Sequence, residues 1–512
     1  MHAPIDQLGL ARPVAVYPSV GRTNPPRAAG QRRVAIVTPC FNAPADLALL
    51  YGDLTRLNLG GTPDSPLLDI TLVVVDNASD PPLASVRPPR ELDIRLLRMA
   101  SNEGGSGGYN AGMAFVIQHL ATDPQQAPEF VWLLDSDARP DPDALLALVS
   151  AMDAYPEFGV IGSSIAHPET GVIFEIGGKV GRWLGQFGPC YGENKPAPKK
   201  TVEVGYAAAC SALVRTGAIA KTGLFPEVFL NADDVEWCYR IVQETGLKIG
   251  ASCESIVRHP QMKFGPTMAR YFQARNSFGP IDALKLGPRA RFMRAMREVP
   301  RALAQTMIAR DDLAELHLRG LSDAAANRLH GAGAMRELKF ERFVPFDRLA
   351  DRLKNALPED GLTGARVRVH PRVRLGEAAA ARIESELESL GIEPPPVPRG
   401  RYILERESFF TGLLPAIARL LLPARTDIAI VPARGRPNAW ARGRITVQVT
   451  PDGFVLRRLN RPRMLARATS IIARGLWLST RLALRRPAKT LRDRLPDAAT
   501  YTIDAESLPT RP

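Results

Sequence analysis

The chain has 512 residues, of which 45% are hydrophobic and 23% are charged, and this composition excludes a disordered chain or a membrane bundle as a description of the whole protein. A single hydrophobic core does not usually extend over so many residues, so we expect two or three domains. The formal net charge of +13 is concentrated in one part of the chain, because residues 401–512 contain 21 Lys and Arg against 8 Asp and Glu, whereas residues 1–400 contain 45 of each.

The N-terminal residues and the cysteines indicate the cellular compartment in which the protein is expected. Residues 1–32 are rich in Pro, Arg and Ala and lack the apolar core of a signal peptide, which predicts a flexible N-terminal extension. No run approaches the roughly 18 apolar residues that span a bilayer. The five cysteines are widely spaced without a CxxC pair, a pattern that favours free thiols in a reducing compartment over a zinc site. We therefore expect a cytoplasmic protein.

Short apolar, β-branched runs alternate with helical patterns between residues 34 and 152. Strands are predicted at 34–38, 70–75, 94–97 and 130–134, and helices at 47–57, 109–120 and 142–152. This alternation predicts an α/β fold with a mainly parallel sheet. Because ligands bind beyond the carboxyl ends of such strands, Thr38, Asp76 and Asp135 should line a single crevice.

The remaining chain is less regular. Residues 155–250 contain glycine-rich, hairpin-like pieces and a predicted helix at 235–244, and residues 268–342 are mostly helical in pattern. A proline-rich stretch at 393–398 predicts a stiff linker, and strands are predicted beyond it at 427–431, 444–450 and 454–458. We divide the chain into the extension 1–32, a catalytic domain 33–265, its helical extension 266–342 and a basic accessory domain 343–512.

Asp135-Ser136-Asp137 directly follows the predicted strand 130–134. Two carboxylates one residue apart at a strand end can converge on one cation, and such hard oxygen ligands suit Mg²⁺ or Mn²⁺. A bound metal would neutralise a diphosphate and stabilise it as a leaving group. Helix capping or a turn is the alternative role for the two acids, and the position after a buried strand favours the metal.

A glycine-rich stretch at residues 102–112 precedes the predicted helix at 109–120. Glycines let the backbone approach a ligand closely, and a helix N-terminus favours phosphate. The stretch fits neither GxGxxG nor a P-loop, because Asn110 occupies the last glycine position and no Gly-Lys-Ser/Thr follows. The alternative is a flexible surface loop.

A second acidic group occupies positions 233, 234 and 236 at the start of a predicted helix. One of these carboxylates could act as the general base for an acceptor hydroxyl. The alternative is structural, because early acids suit the helix dipole and Glu236 stands four residues before Arg240. His259 follows an apolar run and precedes a proline, and a lone histidine there is either structural or a metal ligand.

Six sequence elements in this order resemble the family 2 glycosyltransferases, which have the GT-A fold. They are the segments 34–42, 73–79, 102–112 and 135–137, then 233–240 with His259, then 271–276, and together they cover roughly residues 33–335, about three fifths of the chain. The double-glycine stretch, the Asp-Asp pair and the histidine are most similar to the bacterial galactofuranosyl- and rhamnosyltransferase branch. The resemblance implies a GT-A α/β domain with a helical extension. The strands and amphipathic helical segments in residues 343–512, which lie beyond the resemblance, predict a C-terminal α+β accessory domain.

The resemblance also implies a role for each matched residue. The residues that would bind the donor nucleotide sugar are Thr38, Pro39, Asn42, Asp76, Asn102, Gly104, Gly105 and Asp135. Asp137 and His259 would hold a Mg²⁺ or Mn²⁺ ion, with Asp135 in or beside its shell. Asp234 would be the general base, with Asp233 beside it as a further catalytic candidate. Glu236 would assist catalysis or bind the acceptor, and Trp237 would offer a stacking face to a sugar ring.

The basic tail contains two strongly apolar segments, at residues 409–422 and 464–484. In the second, apolar residues fall on one helical arc, and Arg467, Arg474 and Arg481 stand seven apart along its edge. This pattern is typical of an interfacial helix on anionic lipid, and a helix that packs on a core with a solvated basic edge is the alternative. The tail's charge suits an anionic membrane, a lipid pyrophosphate or nucleic acid, or it reflects arginine enrichment from high-GC coding.

The combined expectation is an inverting, metal-dependent hexosyltransferase, peripheral on the inner face of the cell membrane. It would move galactofuranose or rhamnose from a UDP- or dTDP-sugar to a hydroxyl of a cell-surface or lipid-linked glycan, with no nucleic-acid partner. One alternative is a sugar nucleotidyltransferase, which should carry a basic signature loop that residues 38–42 lack. The other is an inactive glycan-binding or scaffold protein, against which the presence of Asp137, Asp234 and His259 argues.

Overall fold

The computed structural model describes most of the chain. The described residues are 12–16, 31–63, 65–122, 127–181, 183, 185–192, 195–260, 268–307, 310–329, 331, 343–357, 365–370, 373–399, 426–432, 443–458, 461–485 and 501–504. The apolar segment predicted at 409–422 lies outside them. Residues 12–16, within the segment predicted to be an extension, form strand β1.

A large mixed sheet occupies the first half of the described chain. Its strands are β1 (Arg12–Val16), β2 (Arg32–Cys40), β3 (Leu68–Asp76), β4 (Asp93–Met99), β5 (Phe130–Leu134), β6 (Arg139–Pro140), β7 (Phe158–Ala166), β8 (Ile173–Val180), β9 (Phe187–Tyr191), β10 (Thr201–Glu203), β11 (Ser211–Arg215), β12 (Lys248–Arg258) and the distant β17 (Tyr501–Asp504). Strands β4, β3, β2 and β5 are neighbours in this order and run parallel. The α/β prediction is therefore confirmed.

Helices cover this sheet and extend beyond it. The first five are α1 (Pro44–Leu54), α2 (Gly104–Phe115), α3 (Ala144–Ala154), α4 (Thr216–Thr222) and α5 (Asp233–Thr245). The next five form the helical extension and are α6 (Met268–Asn276), α7 (Phe278–Ala283), α8 (Gly287–Met296), α9 (Glu298–Met307) and α10 (Asp311–Ala325). Two apolar clusters, one on each face of the parallel strands, hold the layers together.

The glycine-rich stretch is helical, which differs from the predicted loop. Helix α2 begins at Gly104, five residues before the predicted start. Its glycines fit it tightly against the sheet, because a Cβ on Gly108 would lie 2.6 Å from Pro39 Cβ and one on Gly112 would clash with Val37. Gly108 and Gly112 therefore serve close helix–sheet packing.

The C-terminal part has its own sheet of four strands, β13 (Val367–Val369), β14 (Thr426–Pro432), β15 (Gly443–Thr450) and β16 (Gly453–Arg458). Helices α11 (Leu349–Ala356) and α12 (Glu377–Glu388) pack on it around a separate apolar core. The stretch predicted as a linker at 393–398 belongs to this domain, because Val397 is buried in its core and donates its backbone N–H to Glu384. Helix α13 (Arg461–Leu484) follows and returns to pack on α8, α9 and α10.

Within the described residues, no helix is both long enough and apolar enough to cross a bilayer. The five cysteines are all free thiols, as the sequence predicted.

Candidate functional site

Two chain segments that are far apart in sequence meet where the parallel strands end. Strand β5 ends at Leu134, and Asp135, Ser136 and Asp137 follow it directly. The chain then forms β6, which pairs antiparallel with the end of β12 through Pro140 and Val257. This pairing brings the segment after β5 next to His259, which is anchored by its backbone N–H to the carbonyl oxygen of Ala166 at 3.0 Å.

The three side chains converge on one point. Nε2 of His259 lies 3.1 Å from Oδ1 of Asp137 and 3.3 Å from Oδ2 of Asp135. One ligand atom from each residue lies within 4.8 Å of the other two. Burial alone would lower the pKa of His259, but its hydrogen bonds to Asp135 and Asp137 raise it to about 10. Burial would raise the pKa of Asp137, but the hydrogen bond and charge of His259 hold it below its ordinary value.

Two residues that the sequence analysis did not identify fix this cluster in place. The hydroxyl of Tyr109, on α2, lies 2.6 Å from Oδ1 of Asp135 and 2.9 Å from the carbonyl oxygen of Ala209. The guanidinium of Arg139 donates to the carbonyl oxygens of Ser136 and Ala138, at 3.0 and 2.7 Å, and so closes the turn that carries Asp137. In the sequence, the only feature that could have indicated this role for Arg139 was its position two residues after Asp137.

A strained loop places the second acidic pair at the N-terminus of α5. Phe229, Asn231 and Ala232 have φ values of 71°, 70° and 67°, which are uncommon for residues other than glycine and are often found at functional sites. Asn276 of α6 holds this loop, because its amide nitrogen donates to the carbonyl oxygens of Val228 and Leu230 at 3.0 and 2.6 Å. The helical extension therefore supports the loop from which α5 begins.

Asp233 and Asp234 are half-buried at the start of α5. The carboxylate of Asp234 accepts hydrogen bonds from the backbone N–H groups of Ala209, at 3.2 Å, and Val235, at 2.7 Å. Burial and then the charge of Asp234 raise the pKa of Asp233. Burial also raises the pKa of Asp234, with a contribution from the charge of Asp135. The two acidic groups thus lie close enough to act on each other electrostatically.

Two predicted acceptor contacts are wrong. Glu236 is only 3% exposed and forms a two-oxygen ion pair with Arg240, with distances of 3.2 to 3.4 Å, so its carboxylate faces the protein interior. Trp237 is 1% exposed, donates its indole N–H to the carbonyl oxygen of Gly223 and packs edge-on against Phe225. A buried indole has no free face for a sugar ring. The helix-face ion pair, which was the alternative interpretation of Glu236, is correct.

Two residues predicted to bind the donor are also fully buried. The carboxylate of Asp76 accepts hydrogen bonds from the backbone N–H groups of Ser79, at 2.8 Å, and Leu83, at 3.1 Å, and it pairs with Arg98. In this structure it organises the turn after β3 and has no surface open to a nucleotide base. Thr38 is 0% exposed, although its hydroxyl has no hydrogen-bond partner. Direct contact through Asp76 or Thr38 is therefore not supported.

The other predicted donor residues surround the same strand ends. Pro39 and Gly105 are half-buried, and Asn42 is exposed, with its amide oxygen accepting from the backbone N–H of Asp80 at 2.8 Å. Asn102 is half-buried and caps the approach to α2 by accepting from the N–H of Gly104 at 2.9 Å. Gly104 itself is buried against the carbonyl oxygen of Phe229, with φ of 73°. These residues remain candidates for donor contact, apart from Gly104, whose buried position indicates a packing role.

The chemistry of the cluster fits a divalent metal. Asp135, Asp137 and His259 are half-buried, so a cation held between them could still reach a ligand in the crevice. Carboxylate oxygens suit Mg²⁺ and Mn²⁺, and an imidazole nitrogen suits a transition ion better than Mg²⁺. Among the residues that the structure describes, this is the one group of three acids, histidines or cysteines with metal-binding proximity.

Comparison with known proteins finds one family model that matches part of the chain. Residues 35–219 match the family model described as glycosyl transferase family 2, and this match ends before Asp233 and His259. No curated protein matches the chain. The similar solved structures include S. aureus TarS 1-349, with 15% identity and a TM-score of 0.34, covering 61% of this chain and 94% of that chain.

Two further solved structures are similarly distant. The mannosyltransferase PcManGT from Pyrobaculum calidifontis, in complex with GDP-Man and Mn²⁺, is 18% identical, with a TM-score of 0.35, and covers 61% of this chain and 81% of its own. GalNAc-T7 with UDP, GalNAc and Mn²⁺ is 13% identical, with a TM-score of 0.37, and covers 65% of this chain and 59% of its own. All three TM-scores are low, so the family model is the stronger comparison.

Proposed function

We propose that this glycosyltransferase, whose residues 35–219 carry a family 2 domain of the GT-A fold, transfers a sugar from a nucleotide-diphosphate donor to a hydroxyl group with inversion at the anomeric carbon. The observation that carries the proposal is the convergence of Asp135, Asp137 and His259 at the ends of the parallel strands, with Asp234 close by. Galactofuranose and rhamnose are our candidate sugars, UDP and dTDP the candidate carriers, and a cell-surface or lipid-linked glycan at the inner face of the membrane the candidate acceptor.

We assign the metal to Asp137 and His259, with Asp135 as the third ligand. A bound divalent ion would neutralise the donor diphosphate and so stabilise it as a leaving group. The imidazole ligand favours Mn²⁺ over Mg²⁺. Tyr109 and Arg139 hold the ligands in position before the donor arrives, and such support limits the reorganisation that catalysis requires.

We assign the general base to Asp234, with Asp233 as its neighbour. Two backbone N–H groups donate hydrogen bonds to the Asp234 carboxylate. Its orientation is therefore set by the backbone and does not require a donor on another, mobile side chain. A carboxylate with a raised pKa is a stronger base for the acceptor hydroxyl than an ordinary one, and burial raises the pKa of Asp234. Inversion by a single displacement needs one base and no covalent nucleophile.

The test is hydrolysis of the donor without acceptor, compared between the parent protein and Asp137→Ala in the presence of Mn²⁺. The donor is first chosen from UDP- and dTDP-sugars by the thermal shift that each produces with Mn²⁺, because a ligand that binds the folded state stabilises it. We expect Asp137→Ala to lose the Mn²⁺-dependent hydrolysis, and Asp351→Ala, at an exposed acid of α11, to retain it. Equal rates in the parent and Asp137→Ala would refute the metal assignment.

A second comparison separates the base from the metal. Asp234→Asn should lose about 10²- to 10⁴-fold in transfer to an acceptor, the range typical of a general base. It should still bind Mn²⁺ and the nucleotide, because Asp234 is not among the three converging ligands. Loss of Mn²⁺ binding in this variant would instead assign Asp234 to the metal site.

A further inference from the structure

Helix α13 has two apolar faces, and one of them packs on the protein. The residues of the packed face are Met464, Ala468, Ile471, Leu478 and Leu482. Gly475 lies on the same face and lets the helix approach Val299 of α9 closely. At the end of the helix, the buried Arg485 pairs with Asp282 and donates to the carbonyl oxygen of Ala324 at 3.0 Å. Helix α13 is therefore fixed along the helical extension.

The opposite face is apolar and exposed. Leu465, Ile472, Leu476, Trp477 and Leu484 are between 50% and 77% exposed, although each has a large apolar side chain. From the first of them to the last the helix rises about 28 Å. An exposed apolar surface of this kind marks an interaction site more often than a free surface.

The charge carried by α13 and its flanking residues has one sign. Between Asp452 and Asp493 the sequence contains eleven Arg and Lys residues and no acid. Arg467 and Arg474 face α10, where they pair with Asp311 at 3.6 Å and Glu315 at 2.8 Å. The guanidinium of Arg481 lies 4.8 Å from the ring centroid of Trp477, at the border of the exposed apolar face. The exposed side of α13 thus combines apolar side chains with Arg481 at its border, while Arg467 and Arg474 are paired with acids of α10.

We propose that the exposed face of α13 docks on the surface of an anionic lipid bilayer. Apolar side chains enter the boundary between headgroups and acyl chains, while Arg481 at the edge contacts anionic headgroups, and tryptophan is favoured at this depth. Because the packed face fixes α13 to the helical extension, docking would hold the glycosyltransferase domain beside the membrane.

Charge favours lipid over the two other possible occupants. The apolar segment at residues 409–422 contains Arg419 and no acid, so it offers no negative charge to the arginines of α13. A second copy of the chain would present the same face, on which α13 carries no acid to oppose Arg481. An anionic bilayer supplies both an apolar layer and negative charge, and residues 409–422 would suit the same surface.

The experiment uses the full chain and vesicles of phosphatidylcholine alone or mixed with phosphatidylglycerol. The bound fraction is measured by flotation at low salt and at about 1 M salt, where charge–charge attraction is strongly screened. We expect binding to the phosphatidylglycerol vesicles, weakened by salt, and much less binding to phosphatidylcholine alone. No binding to the anionic vesicles would overturn the proposal.

Two variants test which surface binds. Ile472→Glu combined with Leu476→Glu places two acids on the exposed face, and we expect it to lower the affinity for anionic vesicles at least about tenfold. Leu49→Glu, at a leucine of α1 that is 60% exposed, should bind as the parent does. Equal binding by the parent and the double variant would refute docking through α13.

Two further outcomes would identify a different occupant and so also refute the proposal. A large fall in the melting temperature of the double variant, with vesicle binding unchanged, would indicate that another part of the same chain covers the face. A dimeric parent and a monomeric double variant, again with binding unchanged, would indicate a second copy. Donor hydrolysis in the absence of vesicles should not change in the double variant, so the result is independent of the proposed catalytic assignments.

Discussion

The hydroxyl of Tyr109 lies 2.6 Å from Oδ1 of Asp135, and this contact joins helix α2 to the proposed metal ligands. Burial, followed by the charge of Asp135, raises the pKa of Tyr109 well above its ordinary value, so the hydroxyl remains protonated. Its proton is therefore available for donation to the carboxylate at neutral pH. The ring of Tyr109 packs in the core, edge-on against Phe225, which fixes the position of the hydroxyl.

Tyr109→Phe should weaken Mn²⁺ binding about 10- to 100-fold, because it removes a partner that orients a metal ligand. The melting temperature should fall only slightly, since the ring remains and one hydrogen bond contributes about 1 kcal/mol. Isothermal titration with Mn²⁺ measures the affinity. Tyr271→Phe is the matched control, because Tyr271 is also buried and bonds to a carboxylate, that of Asp323, away from the cluster. Equal Mn²⁺ affinities in the two variants would contradict the role of Tyr109.

Asn276→Ala should lower kcat about 10- to 100-fold and leave Mn²⁺ affinity unchanged. Its amide holds the strained loop before α5, and small displacements of a catalytic group have effects of this size. Asn58→Ala, which removes a surface hydrogen bond to Asp143, is the control for loss of an asparagine. If kcat is unchanged while the folded protein is less stable, the contact supports the fold alone.

Gly112→Ala and Gly105→Ala should differ in stability although both lie in α2. A Cβ at Gly112 would clash with Val37 of β2, and overpacking of a core costs about 1–3 kcal/mol. A Cβ at Gly105 would have its nearest neighbour, Leu230 Cδ1, at 3.9 Å, and alanine favours a helix over glycine by about 1 kcal/mol. Thermal unfolding measures the difference. If Gly105 contacts the donor as proposed, Gly105→Ala should raise KM for the donor without lowering the melting temperature.

Glu236→Gln should destabilise the fold and spare the chemistry. Removing one partner of a buried ion pair costs about 3–5 kcal/mol, because Arg240 would keep an unpaired charge in the interior. A fall of about 10 °C in melting temperature is the expected size. Mn²⁺ affinity, measured well below that temperature, should match the parent. The control is Glu157→Gln, at an exposed glutamate, which should change neither the melting temperature nor the Mn²⁺ affinity. A loss of Mn²⁺ affinity in Glu236→Gln would contradict the structural role and assign Glu236 to the catalytic site.

Glu298→Gln should make the protein less stable at neutral pH and less sensitive to acid. Glu298 is fully buried between Arg294, Arg301 and His317, with distances of 2.5 to 2.7 Å. Although burial raises its pKa, the charges of Arg301 and Arg294 hold it well below the ordinary 4.5. The folded state therefore binds fewer protons than the unfolded state, so this stabilisation is present above about pH 4.5 and is lost as the pH falls below it.

The measurement for Glu298 is the free energy of unfolding in urea between pH 3 and pH 7. The parent should lose stability more steeply than Glu298→Gln below about pH 4.5. Parallel curves for the two proteins would show that Glu298 does not carry this acid sensitivity.

The strands and the acidic pair Asp135 and Asp137 were predictable because each depends on a short local pattern. The strand before Asp135 was predicted with the bounds that the structure gives, since five consecutive apolar residues end there at two acids. The proximity of His259 required the resemblance, because the pairing of β6 with β12 leaves no local signal. The acceptor contacts of Glu236 and Trp237 were predicted wrongly. The spacing of residues in a helix indicates which of them share a face, but it does not indicate which face lies toward the crevice.

The packing of α2 and α13 was also only partly predictable. Glycines in sequence indicate either ligand contact or close packing, and the choice depends on residues such as Val37 that lie elsewhere in the chain. For α13 the core-packing alternative is observed on the face of Met464, Ala468 and Ile471, while Leu465 and Ile472 remain exposed and the interfacial alternative stays a proposal.

Strand β17 lies parallel to β1 at the edge of the central sheet, with Tyr501 opposite Arg12. The two strands are separated by nearly all of the described chain, so during translation β1 leaves the ribosome long before its neighbour exists. Until β17 is synthesised, β1 is an edge strand with unpaired backbone groups, which can pair with other chains. Slow synthesis of the accessory domain should therefore favour aggregation of nascent chains. The chain should need protection by chaperones until residues 501–504 have been synthesised and can pair with β1.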